Sequence, residues 1–309
     1  FLPMGSSRSM ANTVAVVSGA NAGLGYQATL QLARRGATVV MACRSLERAE
    51  HARRQLLAEA PGASMLIIPV DVSEPESIAA FGRQFAQQPG RLDLLINNAG
   101  IVGTPLQRNS VGHELQLATN YLGMFALTGT LLPLFRTDLP ARIVNVGSLS
   151  HRLAKLDLEN INWERGGYGP MRAYARSKLA VLTFTMELNR RLQQSGSNIT
   201  ALAAHPGFAA TEIGKDNSLM NPKNAIGKWF NRKMEAKIPS AAEAARPILL
   251  AACSEGVRGG DYYGPGGWLE IAGEPDKARL NPAARDIETG KSLWALSEAM
   301  TGVSYLADS

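Results

Sequence analysis

The feature that most constrains the fold is a regular alternation of short apolar runs with longer amphipathic segments, which begins at Thr13. The runs are rich in Val, Ile, Leu and Ala, as strands buried on both faces of a sheet are. The predicted strands are 14–18, 37–42, 65–70, 92–96, 142–146, 199–204 and 261–263. The predicted helices are 26–35, 45–60, 75–87, 111–134, 172–192, 241–252 and 286–300. This alternation predicts one α/β domain with a doubly wound parallel sheet of about seven strands and helices on both faces.

Three segments interrupt the alternation. Residues 150–171 form a polar insertion, 211–239 a basic stretch with Trp229 and Phe230, and 264–309 a C-terminal extension. For 211–239 we expect a lid with an apolar inner face over a bulky hydrophobic substrate. A basic amphipathic helix on a membrane surface and an ordinary packed helix pair remain as alternatives. Residues 1–12 are expected to be a disordered arm or a cloning remnant, and 13–309 a single domain.

Composition excludes several classes of protein. Hydrophobic residues make up 45% of the chain and charged residues 19%, which is typical of a folded domain. Cys43 and Cys253 are too few for a disulfide framework, and no cysteine or histidine spacing predicts a metal site. No uninterrupted apolar run reaches membrane-spanning length, so we expect a soluble, cytoplasmic protein. The net charge of +6 is spread along the chain, and 215–237 lacks a recognised nucleic-acid motif, so no nucleic acid partner is expected.

A glycine-rich turn lies between the first predicted strand and helix. The segment Ser18–Gly25 reads Ser-Gly-Ala-Asn-Ala-Gly-Leu-Gly. Small residues let the backbone approach a pyrophosphate, and the following helix N-terminus supplies unpaired N–H groups. In this context the turn predicts a nucleotide site of the Rossmann type, with a purely structural tight turn as the alternative. The predicted cofactor-binding residues here are Gly19, Asn21, Ala22, Gly23, Leu24 and Gly25.

The end of the second predicted strand indicates which nucleotide is bound. An NAD site normally places a carboxylate there to accept from the ribose hydroxyls. The chain instead reads Met-Ala-Cys-Arg at 41–44, and Arg44 offers a charged planar fork to a 2′-phosphate. NADP(H) is therefore favoured over NAD(H), unless Arg44 is an ordinary surface arginine. Asp71 and Val72 follow the third strand, where the adenine ring would lie, although Asp71 could simply cap the next helix.

A tyrosine and a lysine four residues apart predict acid–base chemistry. Tyr174 and Lys178 lie in a predicted helix, where this spacing puts both side chains on one face. A nearby cation favours the phenolate and lowers a phenol's pKa by roughly 1–3 units. The pair alone is weak support, because helices commonly carry tyrosine and lysine on solvated faces.

Taken together, these motifs resemble the short-chain dehydrogenase/reductase family from about Ser18 to Thr211. Stretches such as Met41–Arg44 and Ala173–Leu179 are most similar to its retinol dehydrogenase and WW-domain oxidoreductase branch. The resemblance rests on their order and spacing: the turn 19–25, Asn97-Asn-Ala-Gly100, Asn120, Ser148, Tyr174-x-x-x-Lys178, and Pro206-Gly207 with Thr211.

The resemblance implies an NADP-dependent carbonyl reductase or alcohol dehydrogenase and assigns four catalytic residues. Tyr174 would be the general acid or base, Lys178 would lower its pKa and hold the nicotinamide ribose, and Ser148 would bond the substrate oxygen. Asn120 would support a water that links Lys178 to solvent. The further implied cofactor contacts are Asn98, Ala99, Gly100, Pro206, Gly207 and Thr211.

Several expectations remain open at this stage. Many members of the family pair through the tyrosine-bearing helix, which implies a homodimer, although the insertion or the tail could block such pairing. A non-catalytic NADPH-binding sensor or scaffold is the alternative function. Ala22 and Gly147 stand where the family frequently has serine. His205 is interpreted as structural because no carboxylate partner is evident, and a substrate contact for His151 is undecided.

Overall fold

The computed structural model describes residues 9–207 and 239–307, and its centre is an eight-stranded sheet. The strands are β1 (Val14–Ser18), β2 (Thr38–Cys43), β3 (Met65–Pro69), β4 (Leu94–Asn97), β5 (Ala141–Val146), β6 (Ile199–Ala204), β7 (Tyr262–Pro265) and β8 (Pro275–Lys277). Their order in the sheet is 3-2-1-4-5-6-7-8. All neighbours pair in parallel except β7 and β8. The order reverses between β1 and β4, and such a switch point opens a ligand-binding crevice at the strands' carboxyl ends.

Helices cover both faces of this sheet. They are α1 (Gly23–Arg34), α2 (Leu46–Glu59), α3 (Pro75–Gln87), α4 (Leu115–Leu117), α5 (Gly123–Leu131), α6 (Pro170–Gln194), α7 (Ala241–Ala244), α8 (Arg246–Cys253) and α9 (Ile287–Thr301). Successive strand residues point to opposite faces of the sheet and belong to two core clusters. Val17 and Met41 lie in one cluster, and Val16 and Val40 lie in the other. The predicted single α/β domain is confirmed, with β8 added as an antiparallel edge strand that the sequence pattern did not reveal.

Two helix starts differ from the prediction by three residues or more, each for a local reason. Helix α1 begins at Gly23, because the small residues at the end of the glycine turn already form its first turn. The segment predicted from Val111 becomes helical at Leu115, because the Glu114 carboxylate accepts from the backbone N–H of Gln116 and Leu117 and caps the helix. Ahead of Thr13, Met10 is 2% exposed and lies in a core cluster.

The C-terminal extension is part of the core. Trp294 of α9 packs edge-on against Phe125 with 5.1 Å between ring centroids, and Tyr305 lies 4.9 Å from the same ring. The Tyr121 hydroxyl is 2.5 Å from the hydroxyl of Ser297. Helix α9 therefore covers one face of α5 and α6. The homodimer that the family resemblance implies, paired through α6, stays a prediction.

One segment of the described chain, Leu115–Leu134, is long and apolar enough to cross a membrane by length and composition alone. It contains α4, a π-helical turn at Ala118–Leu122 and α5. In its most apolar window 72% of the residues are buried inside the protein, as in the central helix of a folded core.

Candidate active site

The glycine turn is locked to the end of β4. Ser18 Oγ accepts hydrogen bonds from the backbone N–H of Asn98 at 2.9 Å and of Ala99 at 3.0 Å. The Asn98 side chain in turn donates to the Ser18 carbonyl at 2.9 Å. The predicted residues of the turn and of the segment 98–100 thus lie together at the switch point, and Ser18 is the side chain that joins them.

Close packing explains why this turn needs glycine. A Cβ atom on Gly25 would lie 2.2 Å from the carbonyl oxygen of Gly19, which has a φ of +68°. Ala22 makes no side-chain cap bond to α1, so the unpaired N–H groups of the first helical turn are free to bind an anion. Beneath the turn, burial raises the pKa of the Cys43 thiol to about 11, while hydrogen bonds with the backbone of Ala20 and Asn21 oppose that rise. The sequence analysis did not assign Cys43 this supporting position.

Arg44 and Asp71 face each other across the ends of β2 and β3. The Arg44 Nη1 lies 3.7 Å from Asp71 Oδ2, and the arginine side chain is 70% exposed. Asp71 Oδ1 accepts from the backbone N–H and hydroxyl of Ser73, at 3.0 Å and 2.6 Å. These bonds fix the Asp71 carboxylate beside Val72, while Arg44 remains accessible to a ligand.

Helix α6 brings Tyr174 and Lys178 to the end of β5. The Tyr174 phenol lies close enough to the Ser148 hydroxyl for that hydroxyl to lower the pKa of the phenol. Lys178 is buried, with 4% of its surface exposed. Its Nζ donates to the Val146 carbonyl at 2.8 Å and lies 5.9 Å from the Tyr174 ring centroid. Three of the four predicted catalytic side chains therefore converge.

The pKa values of this pair differ from the sequence expectation. Burial raises the pKa of Tyr174, and the neighbouring Ser148 hydroxyl only partly opposes that rise. Burial also lowers the pKa of Lys178 to about 8. The expected lowering of the Tyr174 pKa is therefore not what the structure shows, because loss of solvent destabilises the phenolate. The phenol is protonated at neutral pH.

Asn120, the fourth predicted catalytic residue, lies in the π-helical turn. Its Oδ1 accepts from the Ile101 N–H at 2.8 Å, and its Nδ2 donates to the Ile101 carbonyl and to Ser177 Oγ, both at 2.9 Å. A Cβ on Gly100 would lie 3.1 Å from Asn120 Oδ1 and 3.6 Å from Lys178 Nζ. The π-helical turn, a form that is common at functional sites, thus places Asn120 beside Lys178.

Two histidines flank the site, and neither is open to solvent. His205 follows β6, and its Nε2 lies 3.0 Å from Glu270 Oε2, so the expectation of no carboxylate partner was wrong. His151 is 0% exposed, with its ring edge-on to Tyr262 at 5.4 Å, so its side chain is packed into the interior. Gly147 is closely packed, since a Cβ there would lie 3.1 Å from Leu182 and 3.2 Å from the Tyr262 hydroxyl, so a larger residue would require these side chains to shift.

The remaining predicted residues lie beyond β6. Pro206 and Gly207 form the turn at its carboxyl end, on the same edge of the sheet as the glycine turn. Thr211 and nearly all of the expected lid 211–239 lie outside the described residues. Within 9–207 and 239–307, no three His, Cys, Asp or Glu side chains group closely enough to hold a metal ion.

Comparison with known proteins bears on this arrangement. The family model described as short chain dehydrogenase matches residues 13–222. Retinol dehydrogenase 13 of Mus musculus is 35% identical over 94% of this chain and 84% of its own length. Retinol dehydrogenase 12 of Homo sapiens is 33% identical over 94% and 87%. An uncharacterized protein from Mycobacterium paratuberculosis has a crystal structure that is similar over 96% of both chains, with a TM-score of 0.78 and 35% identity. The chain is therefore an oxidoreductase of the short-chain dehydrogenase family and belongs to the branch that contains the retinol dehydrogenases.

Proposed function

We propose that this protein transfers a hydride between NADP(H) and the carbonyl or alcohol carbon of a bulky, hydrophobic substrate. The observation that carries the proposal is that Ser148 and Tyr174 lie together beside the buried Lys178, whose Nζ donates to the Val146 carbonyl. Support for the substrate class comes from the retinol dehydrogenase relatives and from Leu153, which is 94% exposed in the turn that follows Ser148.

The described residues fit a dinucleotide. The uncapped N-terminus of α1 suits a pyrophosphate, and Arg44 suits a 2′-phosphate. Lys178 has three N–H donors and uses one on the Val146 carbonyl, which leaves two for ribose hydroxyls. When bound, the nicotinamide supplies or accepts the hydride.

The protein's own residues handle the proton and the developing charge. Tyr174, neutral because burial raises its pKa, donates its phenolic proton to the substrate oxygen during reduction. The Ser148 hydroxyl accepts from the Ser150 N–H at 3.3 Å and from its hydroxyl at 3.1 Å, so its own proton is available to the substrate oxygen. In the oxidative direction the base is the phenolate form of Tyr174, whose oxygen receives the alcohol proton and so becomes the neutral phenol.

The test of this proposal is a turnover assay. Purified protein is given NADPH with bulky aldehydes and ketones, retinal among them, and NADP⁺ with the matching alcohols, and NADPH absorbance is followed. We expect reduction with NADPH and slower reduction with NADH. NADPH binding without turnover of any compound would instead support a non-catalytic sensor.

Arg44 is expected to determine the cofactor preference. In Arg44→Ala the KM for NADPH should rise about 10- to 100-fold, since a hydrogen bond to a charged group contributes about 1.5–3 kcal/mol. The KM for NADH should change less than about threefold, because NADH lacks the 2′-phosphate. Arg53→Ala is the control, since Arg53 pairs with Glu50 on α2 at 2.9 Å. Equal losses with both cofactors would show that Arg44 does not recognise the 2′-phosphate.

The rate of reduction is expected to fall as the pH rises through about 8. Burial lowers the pKa of Lys178 to about 8, so the ammonium is present below this pH and is lost above it. Loss of the charge weakens the hold on the ribose hydroxyls and thus lowers kcat/KM, which reports groups of the free enzyme. The measurement is kcat/KM for reduction from pH 6 to 10, and a flat profile up to pH 10 would contradict the assignment.

A further inference from the structure

One carboxylate outside the predicted catalytic residues joins three segments around the site. Glu270 Oε2 lies 3.0 Å from His205 Nε2, at the end of β6, and 2.5 Å from Arg152 Nη2, shortly after Ser148. Its other oxygen, Oε1, accepts from the Arg279 N–H at 3.0 Å. The Glu270 side chain is 12% exposed. A single side chain of the C-terminal extension thus contacts the loops that follow both β5 and β6.

These contacts determine the tautomer of His205. The Gly207 N–H donates to His205 Nδ1 at 3.1 Å, so Nδ1 carries no proton. The imidazole proton is therefore on Nε2, where it faces the Glu270 carboxylate. Burial favours the neutral imidazole and lowers the pKa of His205, while Glu270 opposes that change. The carboxylate thus selects the tautomer that accepts from the backbone of the turn 205–207.

The turn itself is shaped to fit the extension. Gly207 has a φ of +73°, and a Cβ atom there would lie 2.2 Å from the Ile271 carbonyl oxygen. Leu269 and Glu270 both adopt left-handed backbone, with φ of 53° and 58°, which is costly for residues other than glycine. Such a conformation persists where surrounding contacts enforce it, and it aims the Glu270 side chain at His205.

We propose that Glu270 is a positioning residue that fixes the nicotinamide end of the cofactor site. It holds His205 in the Nε2–H form, which anchors Gly207, and it holds Arg152, which anchors the loop after Ser148. The proposal rests on the proposed function in one respect: that these two loops frame the nicotinamide. Glu270 acts through its neighbours and needs no contact with either substrate or cofactor.

The test compares Glu270→Ala and Glu270→Gln with the matched control Glu274→Gln. Glu274 is a carboxylate of the same extension, but it is 73% exposed and pairs with Arg246 at 2.6 Å. Three quantities are measured: the Kd of NADPH by fluorescence titration, the kinetic constants for reduction, and the ¹⁵N chemical shifts of the His205 ring. The glutamine variant keeps the size of the side chain and an acceptor for Nε2–H, so it serves if the alanine variant does not fold.

In Glu270→Ala we expect the Kd of NADPH to rise about tenfold, within the range for residues that act through others. The kcat at saturating NADPH should fall less than about threefold, because the catalytic groups are intact. In the same variant the ¹⁵N spectrum of the His205 ring should change from a single Nε2–H form to a mixture of tautomers. In Glu270→Gln the Kd of NADPH should rise less, and the Nε2–H form of His205 should be retained. Glu274→Gln should match the wild type in all three measurements.

Two results would overturn the proposal: an unchanged Kd of NADPH together with an unchanged His205 tautomer in Glu270→Ala, or a loss of kcat with unchanged Kd. Failure of the proposed function gives a different result, since it would appear as wild-type protein without turnover on any carbonyl compound. In that case the Kd and the ¹⁵N spectrum, which need no turnover, still decide the role of Glu270.

Discussion

Tyr174→Phe is expected to lower kcat for NADPH-dependent reduction by about 10²- to 10⁴-fold, the usual contribution of a positioned general acid. The substitution removes the phenolic hydroxyl beside Ser148 but leaves the ring in place on α6. The Kd of NADPH should therefore change less than about threefold, because Lys178 keeps its bond to the Val146 carbonyl. The measurements are steady-state turnover and fluorescence titration on the same preparations.

Tyr263→Phe is the matched control for this variant. Its hydroxyl also makes a side-chain hydrogen bond, to Asp261 at 2.7 Å, but it lies on β7 and outside the catalytic residues. We expect it to retain wild-type kcat. If Tyr174→Phe kept more than about a tenth of the wild-type kcat, the proton would have another donor and the role given to Tyr174 would be wrong.

Trp294→Ala is expected to reduce the free energy of unfolding by about 3–5 kcal/mol, the cost of truncating a buried tryptophan. Trp294 is 2% exposed and contacts three aromatic rings, those of Phe125, Phe184 and Tyr305, at centroid distances of 5.1, 5.8 and 4.8 Å. The Arg191 guanidinium lies over its ring at 4.4 Å. The loss should be visible in urea unfolding as a lower midpoint at similar slope.

The control for this prediction is Trp268→Ala. Trp268 is 79% exposed, so its removal should change the free energy of unfolding by less than about 0.5 kcal/mol. A loss below about 1 kcal/mol in Trp294→Ala would mean that the extension is loosely attached and that the contacts with α5 and α6 contribute little.

Much of the site could be predicted because its residues lie at the ends of parallel strands. Ser18, Asn98 and Ser148 each end or follow a strand, and the carboxyl ends of parallel strands meet at one edge of a sheet. Helical spacing placed Tyr174 and Lys178 on one face. These inferences need only the element type and the direction of the chain, both of which local patterns carry.

The rest depends on contacts between distant parts of the chain. Glu270 lies 65 residues from His205, and no local pattern links the two. The pKa of Tyr174 follows from its burial, which involves the whole fold and opposes the effect expected from Lys178. Strand β8 has three residues, too few for a periodic signal, and exists because β7 offers it an edge.

The aromatic contacts between α5 and the extension impose a delay on folding during synthesis. Tyr121 and Ser297 are 176 residues apart, and Tyr305 donates to the carbonyl of Phe125 across 180 residues. At typical ribosomal speeds of about 5–20 residues per second, roughly 10–35 seconds separate the appearance of the two halves of this cluster. Until the extension is made, the face of α5 and α6 that α9 later covers is exposed on the nascent chain. Exposed apolar surface of this kind makes unfinished chains prone to aggregate and is one reason that chaperones are needed.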